Sequence, residues 1–237
     1  MIIGSGMIAR AFAASAGDTL DDVCLYAAGV SNSACQDPRE FEREQQRLAE
    51  ALARTDPAQL FVYFSTCSLL DPDAQASPYV RHKAAMEALV RQRPRHLIVR
   101  LPQLAGSSPN PHTLLNHLFA RIARGERFQA WTRARRNIID VDDVVRVIQD
   151  LIRTEHASGE TVNVANARSV SIGEIIRAME AILGRRAIFD TMERGGSYAI
   201  DIARIAPALQ RCGIGFPPTY LEDVIRKYYG HHAQHQP

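Results

Sequence analysis

Tyr79 and Lys83 stand four residues apart in the segment Pro78-Tyr-Val-Arg-His-Lys83. On a helix that spacing puts both side chains on one face, one turn from each other. A phenol normally titrates near pH ~10, and a neighbouring ammonium favours the phenolate and pulls that value down. The pair is therefore expected to act as an acid/base device near neutral pH. A polar turn, Ser65-Thr66-Cys67-Ser68, lies upstream, where the Thr66 hydroxyl could hold a substrate oxygen beside the phenol. Taken alone, a Tyr-x-x-x-Lys pair describes an ordinary helix face equally well, so the elements around it decide.

The chain begins Met-Ile-Ile-Gly4-Ser-Gly6-Met-Ile-Ala9, which fits G-x-G-x-x-A after a short apolar stretch and before a helical one. In such a turn the first glycine makes the tight bend and the second lets a pyrophosphate approach the backbone. The small third residue lets the helix pack closely, with the anion at the helix N-terminus. The acidic residue expected roughly 20 positions on, at the end of a second strand, to hold an adenosine ribose has no counterpart. Asp18, Asp21 and Asp22 read as loop residues leading straight into Val23-Cys-Leu-Tyr-Ala27.

Apolar runs then alternate with longer amphipathic stretches. Strands are predicted at Met1–Ile3, Val23–Ala27, Leu60–Phe64 and His96–Leu101, the last stopped by Pro102. Helices are predicted from Met7 to about Ala16, from Asp37-Pro38 to about Arg54 with Asp at N-cap and Pro at N1, and from Pro78 through Lys83. Beyond Pro102 the pattern loosens. A loop is expected at Ser107–Pro111, helices at Thr113–Arg124, Asp140–Arg153 and Ser171–Leu183, and strands at Asn137–Ile139 and Thr161–Ala165. Ser171 with Glu174 three residues on is a capping box. The repetition predicts an α/β fold with a doubly wound parallel sheet. Residues 1–105 would form a shortened cofactor domain, and residues 106–237 would complete the sheet and form a small C-terminal lobe.

The bulk properties exclude several classes. The 237 residues, at 26.3 kDa, are enough for a substantial core. With 46% apolar and 23% charged residues and a formal charge of +2, nothing points to a nucleic-acid or membrane partner. Arginines cluster between Arg121 and Arg136, as a solvated surface or an anion site. Cys24, Cys35, Cys67 and Cys212 show no metal-binding spacing, and Cys24 and Cys67 are expected to be buried thiols. No metal is expected; the histidine-containing tail Gly230–Pro237 reads as a frayed terminus. No apolar run approaches membrane-spanning length and no leader is recognisable, so a cytoplasmic protein is expected.

With these segments in order, the chain resembles the extended short-chain dehydrogenase/reductases of the nucleotide-sugar epimerase/dehydratase family. Gly4-Ser-Gly6-Met-Ile-Ala9 resembles the cofactor turn, and Ala27-Ala-Gly29 the small-residue turn beside the nicotinamide ribose. Phe64-Ser-Thr66 is similar to the Ser-Ser/Thr strand end, and Tyr79 and Lys83 to the catalytic pair. Val99-Arg-Leu-Pro102 resembles the segment abutting the nicotinamide. Arg136-Asn-Ile-Ile-Asp-Val-Asp-Asp143 resembles R-D-x-I-H-V-x-D, whose arginine contacts the sugar-nucleotide diphosphate, and Val162-Asn-Val-Ala165 with Ser169-Val-Ser171 resembles the Y-N-V-G strand and its helix. Arg194-Gly-Gly-Ser-Tyr-Ala-Ile-Asp201 resembles the R-P-G segment and the strand that lead into the final helix, with its arginine as a second diphosphate contact. Tyr220–Tyr229 resembles the terminal helix.

The resemblance implies a Rossmann-like fold and an NAD- or NADP-dependent reductase or epimerase acting on a nucleotide-activated sugar. Thr66, Tyr79 and Lys83 would be catalytic. Gly4, Gly6, Met7, Ile8, Ala27, Ala28, Gly29, Tyr79, Lys83 and Leu101 would hold the cofactor, and Gln103, Arg136 and Arg194 the substrate. A homodimer is expected. Two departures qualify this. Between Gly6 and Ala27 there is room for one helix and one connection, so the strands that normally flank the adenine should be missing. Cys67-Ser68 stands where the dehydratases of the family carry Asp-Glu, so dehydration is not expected. The alternative is a non-catalytic dinucleotide- or sugar-nucleotide-binding protein on the same fold.

Overall fold

The computed structural model describes residues 1–15 and 22–231. Asp18 and Asp21, and the tail beyond His231, lie outside the described residues. The main sheet has five strands: β1 (Ile2–Ile3), β2 (Val23–Tyr26), β3 (Leu60–Thr66), β4 (His96–Leu101) and β8 (Glu160–Asn163). They lie side by side in the order β1-β2-β3-β4-β8, all parallel. Every residue of β3 is buried, as a strand covered on both faces requires.

Helix α1 (Met7–Ser15) and helix α5 (Val141–Glu155) cover one face. Phe12, Val144, Ile148 and Leu151 meet Leu25, Val62, Leu97 and Val162 there. Helices α2 (Pro38–Arg54) and α3 (Pro78–Val90) cover the other face, where Leu48, Met86 and Val90 meet Tyr26, Tyr63 and Ile98. The expected doubly wound architecture is thus present. Because β1, β2 and β3 succeed one another in one direction while α1 and α2 lie on opposite faces, the two crossovers have opposite hands. One of them runs against the right-handed rule.

The start signals act as expected. The Asp37 carboxylate accepts from the Arg39 amide at 3.0 Å with Pro38 in the first turn of α2, and Ser171 and Glu174 form the capping box of α6 (Ile172–Leu183). Strand limits move by at most two residues: β2 stops at Tyr26, whereas β3 runs through Thr66. The strand expected within 194–201 does not form; that stretch is irregular. The hydroxyl of Thr66 then accepts from the Ser68 amide, opening a 3-10 turn.

The C-terminal lobe has its own core. Helices α4 (Leu114–Arg124), α6 and α8 (Tyr220–Tyr229) gather around Leu118, Ile122, Ile175, Met179 and Ile225. Two small sheets support it. One joins β5 (Gln103–Ala105), β7 (Arg135–Asp140) and β9 (Ser169–Ser171); the other pairs β6 (Phe128–Trp131) with β10 (Phe189–Met192). The β6/β10 pair was not expected, because its partners are 61 residues apart and neither alternates clearly. Helix α7 (Ala206–Arg211) returns to the main core through Ala208 and Leu209. Asp140 joins lobe and sheet: it caps α5 and accepts from Lys227 (2.7 Å) and Tyr228 (2.6 Å) of α8. Among the described residues no helix is long and apolar enough to cross a membrane.

Candidate active site

The carboxyl ends of β1, β2, β3 and β4 open into one cavity of about 490 Å³, the place where open parallel sheets bind ligands. Register fixes its floor: Thr66 pairs with Leu101, and Ile3 with Tyr26. Gly4, Gly6, Met7, Ile8, Ala27, Ala28, Gly29, Thr66, Tyr79, Lys83, Leu101 and Gln103 all line it. A narrow cleft continues from Thr66, Ser68 and Gln103 to Arg136 and Tyr198. Every residue expected from the sequence except Arg194 therefore faces this connected space. Arg194 is exposed after β10 and lines neither cavity.

The glycine turn has the geometry its sequence implies. Gly4 has φ +132°, and a Cβ there would lie 2.4 Å from the Ala27 carbonyl oxygen, so only glycine fits between the first two strand ends. A Cβ at Gly6 would meet nothing within 4 Å, because the cavity lies in front of it. Helix α1 starts there with no acidic residue in its first turn. Its free amides and positive dipole end face the cavity, a setting that suits a pyrophosphate. The turn and the open helix end therefore fit a dinucleotide, and Ala27–Gly29, Tyr79 and Lys83 line the same cavity.

Tyr79 sits in the first turn of α3, 6% exposed, and lines the cavity with Thr66. The Thr66 strand end is itself held in place. Ser65 donates to Glu87 at 2.6 Å, and Glu87 takes both Nε and Nη2 of Arg100 at 2.8 Å. This bidentate pair locks the ends of β3 and β4 to α3.

The expected effect of Lys83 on Tyr79 is not what the structure has. Burial, with Glu44 adding to it, pushes the Tyr79 phenol up to about 12, against the pull of the Thr66 hydroxyl. Lys83, itself buried, points its ammonium at Glu44 Oε1 (3.0 Å) and the Tyr63 hydroxyl (3.1 Å). Burial lowers its pKa, and Glu44 opposes that. Glu44 is 2% exposed; its hydrogen bonds and Lys83 outweigh desolvation and hold its carboxyl near 2. The lysine charge is thus met by a carboxylate, which spacing along α3 alone could not reveal.

Glu44, Tyr63, His82, Arg47 and Tyr198 are the neighbours missed in the sequence. Glu44 had a signal: Phe41, Glu44, Leu48 and Ala51 form one helical stripe, with a carboxylate on an otherwise apolar face. Most of the Arg121–Arg136 cluster is surface pairing: Arg121 with Glu126, Arg127 with Asp190 and Arg133 with Glu193. Arg135 and Arg136 are the members that line the cleft. Cys24 and Cys67 are buried thiols as expected, and burial pushes Cys67 up to about 12. Among the described residues no cluster of His, Cys, Asp or Glu could hold a metal ion.

A search of curated proteins found no match. Solved structures similar to this chain include UDP-glucuronic acid 4-epimerase from Bacillus cereus in complex with UDP-glucuronic acid and NAD, at 20% identity and TM-score 0.72, over 90% of this chain and 75% of that one. MoeE5 in complex with UDP-glucose and NAD is 17% identical with TM-score 0.75, over 95% and 98% of the two chains. RMD from Pseudomonas aeruginosa complexed with NADPH is 19% identical with TM-score 0.73, over 94% and 95%. At these identities the likeness is one of fold. The NAD dependent epimerase/dehydratase family matches residues 16–165, more than half of the chain, and to that family this protein belongs.

Proposed function

We propose that the protein is an NAD(P)-dependent reductase or epimerase acting on a nucleotide-activated sugar, with Tyr79 as its acid/base. One observation carries the reading: Thr66, Tyr79 and Lys83 line the same cavity as the Gly4–Gly6 turn. A bound nicotinamide supplies or accepts the hydride. Tyr79 exchanges a proton with the sugar oxygen, and Thr66 orients that oxygen. Lys83 has two donors directed at Glu44 and Tyr63, which leaves a third for a ribose hydroxyl. Gln103, where the cleft leaves the main cavity, suits the polar sugar, and Arg136, farther along the cleft, suits its diphosphate, since a guanidinium fork matches phosphate oxygens. Dehydration is not part of the proposal: Cys67 and Ser68 supply no carboxyl beside Thr66.

The test is a fluorescence titration of NADH and NADPH with the purified chain, followed by incubation with UDP-glucose, UDP-glucuronic acid and nucleotide 4-keto sugars. Cofactor quenching plus conversion of any of these substrates is the expected result. Binding of cofactor or nucleotide sugar with no turnover of any would support the non-catalytic alternative, which the loss of the adenine-side strands favours. Absence of both kinds of binding would reject the two readings together.

A further inference from the structure

Glu44 is the most constrained charged group near the site. Its Oε1 accepts from the Tyr63 hydroxyl (2.7 Å) and Lys83 Nζ (3.0 Å). Its Oε2 accepts from the Val30 amide (2.7 Å) and lies 3.0 Å from His82 Nε2. Four contacts take up the lone pairs of a carboxylate. His82 is held from behind by Phe41, stacked on it at 4.7 Å. The contact also reaches the cavity wall: a Cβ on Gly29 would lie 2.6 Å from Lys83 Nζ and 2.7 Å from Glu44 Oε1. Glu44 thereby ties α2, β3, α3 and the turn at residues 27–30 into one unit at the nicotinamide end.

We propose that Glu44 is a positioning residue that takes up the Lys83 charge, so that Tyr79 keeps its proton and the site works as a ketone reductase rather than an epimerase. Reduction needs a donor. Hydride from a dihydronicotinamide bonds to the carbonyl carbon, the C=O π pair moves onto oxygen, and the Tyr79 O–H bond breaks as its proton closes the new hydroxyl. The cofactor is oxidised by two electrons, the ketone is reduced by two, and the tyrosinate regains a proton from solvent. Epimerisation must begin in reverse, with the tyrosine already deprotonated to accept a hydroxyl proton, and a compensated lysine does not favour that form.

The groups facing Tyr79 agree. Thr66 and Cys67 come from the end of β3, Glu44 from α2 and Tyr198 from the loop after β10, and Lys83 shares its helix. Of these only Lys83 is cationic. Around Glu44 itself stand Tyr26 from β2, Tyr63 from β3, His82 and Lys83 from α3, with Arg47 one turn along its own helix.

The direction of reaction rests on the nucleotide-sugar reading; the charge compensation does not, and is tested first without substrate. Tyr79 ionisation is read as near-ultraviolet tyrosinate absorbance, as the difference between each protein and the same protein carrying Tyr79→Phe. Glu44→Gln should lower the Tyr79 titration by about one pH unit or more. An unmoved titration in a folded Glu44→Gln protein overturns the proposal. If Glu44→Gln does not fold, the pair variant Glu44→Gln/Lys83→Met leaves no unpaired buried charge. Its Tyr79 should titrate close to wild type. An upward move would show that Lys83 had been acting on Tyr79 uncompensated, and would overturn the proposal. With substrate, a nucleotide 4-keto sugar and NADPH should give alcohol, and UDP-glucose or UDP-glucuronic acid with NAD should give no C4 epimer. Epimer formation overturns the reductase assignment, whatever the titration shows.

Discussion

Thr66, at the end of β3, and Tyr79, in the first turn of α3, line one cavity, and the Thr66 hydroxyl draws against the upward push that burial gives the phenol. The Thr66 hydroxyl accepts from the Ser68 amide at 3.1 Å, which fixes it at the strand end. Replacing Tyr79 by Phe removes the phenol proton and little else. Turnover should fall roughly 10²–10⁴-fold, with melting temperature and cofactor affinity close to wild type. Steady-state kinetics beside a fluorescence titration checks both halves, and wild-type turnover would remove Tyr79 from the chemistry.

Arg136 and Arg194 were paired in the sequence as diphosphate contacts, and the fold separates them. Arg136 lines the cleft that runs on from Thr66, while Arg194 is exposed outside both cavities. Arg136→Ala should raise KM for a nucleotide sugar roughly ten- to a hundredfold, the worth of a charge-assisted contact. KM for a ketone lacking the diphosphate should be unchanged. Arg194→Ala should change neither. Equal effects of Arg136→Ala on both substrates would sink the diphosphate role.

What could be read in the sequence was local or periodic. The Gly4–Gly6 turn, the Asp37-Pro38 start, the capping box at Ser171 and the buried run at Leu60 each announce their conformation within a few residues. What could not be read was long-range. The β6/β10 pair depends on partners far apart in the chain. The partner of Lys83 lies 39 residues away on another helix, so the spacing of Tyr79 and Lys83 suggested a direct effect that Glu44 cancels. The apolar stripe of α2 carried the clue, since a carboxylate is rarely buried without a partner.

Stability toward acid should depend on that same pair. Folding holds the Glu44 carboxyl near 2, against 4.5 for a free glutamate. A depressed folded value means that Glu44 stabilises the protein above the unfolded value and loses that contribution as pH falls from 4.5 toward 2. Glu44→Gln has no such term. Breaking the buried pair should cost roughly 3–5 kcal/mol at neutral pH, and the gap between the two proteins should close as the solution is acidified. Urea unfolding across that range measures it. A gap independent of pH would mean that Glu44 contributes through packing alone.

The cofactor's adenosine end is where this chain departs furthest from an ordinary dinucleotide fold. β1 has two residues and sits at the open edge of the sheet, with β2 as its one neighbour and Ile2 37% exposed. Among the described residues no strand lies beyond it, so the surface that would cover adenine and its ribose is missing. Gly4, Gly6, Met7 and Ile8, with Tyr79 and Lys83, still line the cavity. NADH and NADPH should therefore both bind weakly and with little difference between them. Two guanidinium groups, Arg10 and Arg47, line this cavity. Arg10 donates to the Ser107 carbonyl at 3.2 Å, whereas Arg47 is exposed and makes no ion pair among the described residues. Exposed contacts of this kind are each worth about 0.2–1 kcal/mol, so any preference for the 2′-phosphate should stay below roughly thirtyfold and vanish in Arg10→Ala/Arg47→Ala. Nicotinamide fluorescence titrations of the wild type and this variant measure all four affinities. Tight binding of one cofactor, with a strong preference that survives loss of both arginines, would show that the adenosine is held by a surface outside these strands.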